Sequence, residues 1–85
     1  MNYDELVSKG RPQLRSRLKG DFEGFENEKL FLLENGQCWM QKKFDYWNHF
    51  SFTPFVVIYT YGRSHFLTIN GQEKFVEVEL VKGAI

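Results

Sequence analysis

The sequence predicts an all-β protein: a small SH3-like barrel of five or six antiparallel strands with a short N-terminal helix. Three observations predict it. Aromatic residues, which favour pleated strands, are abundant, with nine Phe, four Tyr and two Trp. Several stretches alternate apolar and polar residues. Turn signals at Asn35-Gly36, Gly62-Arg63-Ser64 and Asn70-Gly71 separate these stretches at short intervals. With 85 residues the chain reads as one domain, 1–85. A domain this small must pack its core densely. The helix is expected over 2–9, the barrel over 14–81 and a tail over 82–85. The OB-fold is the alternative topology. It usually carries a helix between its middle strands, and none is visible here.

The elements follow in order. Asn2 is placed to cap the helix, with Glu5 three residues on in a capping-box position. Tyr3, Leu6 and Val7 share one helical face, and Gly10 and Pro12 end the segment. Two turns need a docking site, because so short a helix is not stable alone. From Leu14 to Glu23 the alternation predicts a strand with Leu14, Ser16, Leu18, Gly20 and Phe22 on one side and Arg15, Arg17, Lys19, Asp21 and Glu23 on the other, charged, solvent side. Gly20 and Gly24 are places where such a strand can bend. Lys29 to Leu33 is apolar on both parities, which predicts cover on both faces. Asn35-Gly36 predicts a two-residue turn with Leu33 opposite Cys38 and Leu32 opposite Trp39. Further strands are expected over 37–44, 54–61, 65–69 and 74–81. In the last, Val76, Val78 and Leu80 face in while Glu77 and Glu79 face out.

Charge and cysteine usage bound the function. Lys plus Arg and Asp plus Glu each number 11, so the net charge is zero. That weakens nonspecific nucleic-acid binding, which depends on neutralising phosphates. Lys9, Arg11, Arg15, Arg17 and Lys19 nonetheless form an acid-free basic stretch, followed by Asp21, Glu23, Glu26 and Glu28. Cys38 is the only cysteine, which suits a packing role and a reducing, cytoplasmic compartment. The first residues show no signal-peptide pattern, and the longest apolar run, Phe55–Tyr59, is too short to cross a bilayer. No membrane partner is expected.

Three stretches carry a resemblance: Ser16-Arg17-Leu18-Lys19-Gly20-Asp21-Phe22-Glu23-Gly24-Phe25, then Leu33-Glu34-Asn35-Gly36-Gln37-Cys38-Trp39-Met40-Gln41, then the aromatic run ending in Pro54-Phe55-Val56-Val57-Ile58-Tyr59. Together, from about Ser16 to Val81, they resemble a family of small bacterial proteins of unknown function, some similar to products of mobile integron gene cassettes. The Asn-Gly-Gln-x-Trp-x-Gln signature is fairly specific. The family usually has Trp where Phe25 stands, and Tyr at several positions taken here by Phe44, Phe50 and Phe52. Its last strand often carries arginines where this chain has Glu77 and Glu79. The resemblance implies a shared fold and no activity.

No constellation points to catalysis. Cys38 has no neighbouring cation or helix N-terminus to lower its pKa, so it reads as structural. His49 and His65, the only histidines, lack metal-ligand spacing. Asp21 with Glu23, and Glu77 with Glu79, read as solvated strand faces that block unwanted pairing. Gly20 and Gly24 lack the Gly-Lys-Ser/Thr of a phosphate loop. No cofactor is expected, and the chain reads as a non-enzyme.

The aromatic run 44–52 carries the remaining signal. Tyr46, Trp47, His49 and Phe50 could form a stacking platform for bases, a planar ligand or a peptide. The competing and preferred reading puts Phe44, Tyr46, Phe50 and Phe52 in the core and leaves only Trp47 and His49 facing water. Gln37 and Gln41 flank Trp39 as a binding patch or as polar surface beside a half-buried indole. The candidate binding set is therefore Trp39, Gln41, Tyr46, Trp47, His49 and Phe50, with Arg11, Arg15 and Arg17 for phosphates. The leading expectation is a binding or protein-interaction module for a protein or small ligand, with a homodimer as one form. A nucleic-acid-binding barrel is the alternative, and a small enzyme comes last.

Overall fold

The structure, a computed structural model, describes residues 1–83. Helix α1 (Tyr3–Lys9) precedes strands β1 (Arg11–Arg17), β2 (Phe22–Phe25), β3 (Leu30–Leu32), β4 (Cys38–Gln41), β5 (Trp47–Ser51), β6 (Phe55–Tyr61), β7 (Ser64–Ile69) and β8 (Phe75–Lys82). Six of them form an open antiparallel sheet in the order β1-β6-β7-β8-β4-β3, and β2 pairs with β5 in a separate ribbon. The chain is thus mostly β with one short N-terminal helix. Five or six strands were expected, and eight short ones are described. The difference arises because the segment 14–23 breaks after Arg17 and the run 44–52 makes a strand of its own. No helix among the described residues is long and apolar enough to cross a membrane.

The helix forms as its caps dictate. Asn2 accepts from the Glu5 amide at 2.8 Å, and the Gly10 amide closes on the Leu6 carbonyl at 2.8 Å. Leu6 is fully buried, but Val7 is exposed, so only part of the expected apolar face docks. The Glu5 carboxylate does not complete a capping box; it accepts from Tyr61 Oη on β6 at 3.3 Å. Strand β1 begins at Arg11, earlier than expected, and carries a bulge between Pro12 and Leu14. A proline is admissible there because β1 lies at the sheet edge.

The core collects the inward residues of every strand: Leu18, Phe22, Phe25, Phe31, Leu33, Trp39, Val56, Ile58, Leu67, Ile69, Val76 and Val78. Leu14 and Leu80 pack against it, as the alternation in their strands predicts. The chain continues past the ends of the two edge strands and ties them at one corner. The Lys19 amide donates to the Leu32 carbonyl at 2.8 Å, and the Glu34 amide to the Arg17 carbonyl at 2.9 Å. Leu18 and Leu33 form an isolated bridge between them.

Four local expectations are corrected. Phe31 and Leu33 are buried, but Leu30 and Leu32 are 58% and 42% exposed, because β3 is an edge strand with one covered face. The β3–β4 register places Leu32 opposite Cys38 and Phe31 opposite Trp39, one residue off the expected pairing. The reason is the turn. Gly36 has φ 91° but Asn35 has no positive φ, so a two-residue type I′ turn is not formed. Instead a three-residue loop closes through Gly36 N to Leu33 O and Leu33 N to Gln37 O. Glu77 lies on β8 in the middle of the sheet, held by Lys42 and Lys43 at 3.6 and 3.3 Å, and is no solvated edge charge. Lys82 belongs to β8, bridging Cys38, so the expected tail is shorter; residues 84–85 lie outside the described residues.

Candidate functional site: an outward aromatic row

The Asn-Gly-Gln-x-Trp-x-Gln segment is built into the interior. Asn35 Oδ1 accepts from the Gln37 amide at 2.9 Å, and its Nδ2 donates to Gln37 Oε1 at 3.2 Å. Gln37 Oε1 also accepts from Trp39 Nε1 at 3.1 Å. This partner lets the indole sink to 0% exposure without stranding its N–H. Gln41, 1% exposed, accepts from the Glu26 amide at 3.1 Å and donates to the Lys43 and Asp45 carbonyls at 2.9 and 3.0 Å. Trp39 and Gln41 are therefore withdrawn as binding residues, and the Gln37–Gln41 patch is no surface. Their polar atoms are spent on holding loops in place.

The run 44–52 turns out with the opposite parity to the preferred expectation. Phe44, Tyr46, Phe50 and Phe52 are 66%, 69%, 55% and 77% exposed. Trp47 and His49 point inward, half-buried, with their rings stacked at 4.6 Å and 4°. The cause lies on β2. Phe22 and Phe25 are core residues and need a lid, and Trp47 supplies it at ring distances of 5.7 and 5.3 Å. His49 lies 6.3 Å from Phe22. Gly24 permits this close pairing opposite Asn48: a Cβ there would lie 1.8 Å from the Trp47 carbonyl oxygen, and its φ is 111°.

The outer side of the ribbon thus carries Tyr46, Asn48, Phe50 and Phe52. Phe50 and Phe52 meet edge to face at 5.0 Å. At one end Tyr46 and Asn48 share a depression of about 230 Å³ with Glu23, Glu26 and Lys29. Lys29 bridges the two carboxylates at 3.9 and 3.6 Å, leaving a negative excess there. Towards the other end, the chain passes through Pro54, whose carbonyl accepts from the Leu18 amide, to the partly exposed Phe55. The guanidiniums of Arg15 and Arg17 lie 4.7 and 4.6 Å from the Phe55 ring centroid. Phe44 stands apart, beside Phe66, Phe75 and Met1.

Of the candidate residues, the structure brings Tyr46 and Phe50 to one face and puts Trp47 and His49 beneath it. Arg15 and Arg17 come together over Phe55, but Arg11 is at the far end of β1, in a hollow with Lys9, Thr60, Tyr61 and Gly62. Among the described residues no carboxylate pairs with any of these three arginines. Phe52 and Phe55 were missed. The signal that could have found Phe52 is Asn48, which shares its parity and marks that face as wet.

The remaining chemistry is dispersed. Cys38 is a free thiol, half-buried on β4. His65 Nδ1 lies 3.3 Å from Thr60 Oγ1, which donates to Gln13 Oε1, and the His65 ring packs edge-on against Trp39 at 5.3 Å. Among the described residues no group of three or more His, Cys, Asp or Glu side chains could hold a metal ion. Compared with known proteins, the chain matches no family model, no curated protein and no solved structure.

Proposed function

We propose that the chain is a non-enzymatic binding module built as a small SH3-like barrel, docking its partner on the outer face of the β2–β5 ribbon. The observation that carries this reading is the outward aromatic row. A chain this small gains stability from every buried ring, yet Tyr46, Phe50 and Phe52 are left in water. The barrel reading is supported by the backbone bonds that tie β1 to β3 at one corner. Kinship with the small bacterial cassette proteins would add a fold and no activity. The lone thiol suits a reducing cytoplasm.

Panning a peptide library against the protein tests the docking face. Selected peptides are expected to lose on the order of tenfold or more in affinity for a Tyr46→Ser/Phe50→Ser variant that keeps its circular dichroism spectrum. Peptides that bind the folded variant equally well would place docking elsewhere. A second reading, nucleic-acid binding, is favoured by Arg15 and Arg17, which pair with no acid among the described residues, lying over an exposed ring. Such binding would weaken steeply with salt.

A further inference from the structure

The aromatic row stands in an acidic setting. From Gly20 to Glu28, the stretch that contains β2, the chain carries Asp21, Glu23, Glu26 and Glu28 and no lysine or arginine. From Phe44 to Thr53, the stretch that contains β5, it carries Asp45 and again neither. The fold brings the two stretches together, because β2 pairs with β5. Acids therefore stand at both ends of the row. Glu23 and Glu26, 72% and 62% exposed, share the depression of Tyr46 and Asn48. At the other end, Asp21 Oδ1 accepts from the amide of Thr53, the residue after Phe52, at 3.3 Å. Lys29 is the one cation among the described residues that pairs with any of these carboxylates. Its Nζ stays 3.9 and 3.6 Å from Glu23 and Glu26, beyond hydrogen-bond contact. It offsets one charge and leaves the carboxylate lone pairs open to other donors.

From this we infer that the occupant of the ribbon face is an extended basic peptide segment, with arginine or lysine side chains over Tyr46 and Phe50 and against Glu23 and Glu26. The inference rests on the reading of the row as a docking face and names the chemistry of the partner. Exposed rings and exposed carboxylates favour the same group. A ring face attracts a cation through its quadrupole, and a carboxylate attracts it by charge and by charge-assisted hydrogen bonds. Arginine combines both, since its planar guanidinium stacks on a ring while its edge donates to oxygen. A phosphate chain laid on the same face would meet the carboxylates and be repelled. The spacing also fits. Tyr46, Asn48 and Phe50 recur at every second residue of the chain, and an extended peptide turns every second side chain to one side. Alternate basic residues of such a segment keep step with the row.

Fluorescence anisotropy with three labelled probes tests it: the hexapeptide Arg-Leu-Arg-Leu-Arg-Leu, its counterpart Glu-Leu-Glu-Leu-Glu-Leu, and a single-stranded oligodeoxythymidylate. Each is titrated with the wild type and with three variants checked for an unchanged circular dichroism spectrum. Two alter the ribbon, Glu23→Gln/Glu26→Gln and Tyr46→Ser/Phe50→Ser. The third, Glu73→Gln/Glu79→Gln, removes the same charge outside it. The arginine peptide is expected to bind the wild type, more weakly at high salt, and the other two probes are not. Either ribbon variant should lose on the order of tenfold or more in affinity for it, while Glu73→Gln/Glu79→Gln binds as the wild type does. A loss confined to Tyr46→Ser/Phe50→Ser overturns the inference and leaves the docking face standing, used through its rings alone. Equal losses for the two Glu→Gln variants overturn it as attraction to net charge. An arginine peptide that neither ribbon variant weakens binds elsewhere, and the docking-face reading falls along with the inference. Should Tyr46→Ser/Phe50→Ser unfold the protein, the row is core, and both fall as well. Equal or tighter binding of the glutamate peptide or the oligonucleotide overturns the inference, the oligonucleotide in favour of the nucleic-acid reading. So does the absence of binding by any probe, in which case the peptide library still decides whether the face docks a partner of other chemistry.

Discussion

Gln41 shows how a polar side chain can be more deeply placed than most of the aromatics around it. Its amide makes three hydrogen bonds to backbone groups of two different loops, at Glu26 and at Lys43 and Asp45. Replacing it by leucine keeps the volume but strands one amide and two carbonyls near the core. Gln41→Leu is therefore expected to cost about 2–3 kcal/mol, read as a drop of about 10 °C or more in melting temperature. A change within a couple of degrees would mean that water replaces those bonds. Composition marked Gln37 and Gln41 as surface, because glutamine usually is exposed. The exception needs the partners to be known, and these sit in loops up to 15 residues away. The depth of Trp39 was hidden for a different reason: its N–H is satisfied by the side chain of Gln37, just before its strand, a bond that alternation does not reveal.

At the scale of elements, alternation picked the inward residues of the strands, but not every outward charge lies in water: Glu77 is only 11% exposed, held by Lys42 and Lys43. Arg15 and Arg17 face out while Leu18 and Phe22 face in, and Val76 and Val78 are buried, because a charge fixes which parity meets water. The run 44–52 has no such marker: large aromatics occupy both parities, and only the partner strand decides. That partner is β2, whose Phe22 and Phe25 pull Trp47 and His49 inward. The pairing depends on Gly24. Gly24→Ala forces a Cβ to within 1.8 Å of the Trp47 carbonyl at a positive φ, and should destabilise the protein by about 2 kcal/mol or more. Hydrogen exchange should show the loss first in β5. Uniform destabilisation, with β5 amides as protected as those of β6, would mean that the ribbon is not a separable unit. The hairpin register slipped for a similar reason. Asn35-Gly36 marks a turn, but two- and three-residue loops share that signature, and they shift the pairing by one.

Across the whole molecule, the core draws on an open six-stranded sheet whose edge strands are tied at one corner and on the ribbon, which supplies Phe22 and Phe25 with Trp47 packed against the cluster. What remains outside includes the aromatic row of the ribbon, with Glu23 and Glu26 beside Tyr46, and the Arg15 and Arg17 guanidiniums over Phe55 on the larger sheet. The all-β class and the short helix were legible because they follow from local patterns. The row was legible as a set of residues but not as a surface, since its direction is set by pairing between segments 22 to 29 residues apart in the chain. The docking face stands on that direction. A pair of thermal melts, Trp47→Ala beside Phe50→Ala, tests it most directly. The expected result is a loss of about 2–4 kcal/mol for Trp47→Ala, whose ring covers Phe22 and Phe25, and a change within about 0.5 kcal/mol for Phe50→Ala in the monomer. The reverse order, with Phe50→Ala the damaging change and Trp47→Ala the silent one, would put the row in the core and contradict the account.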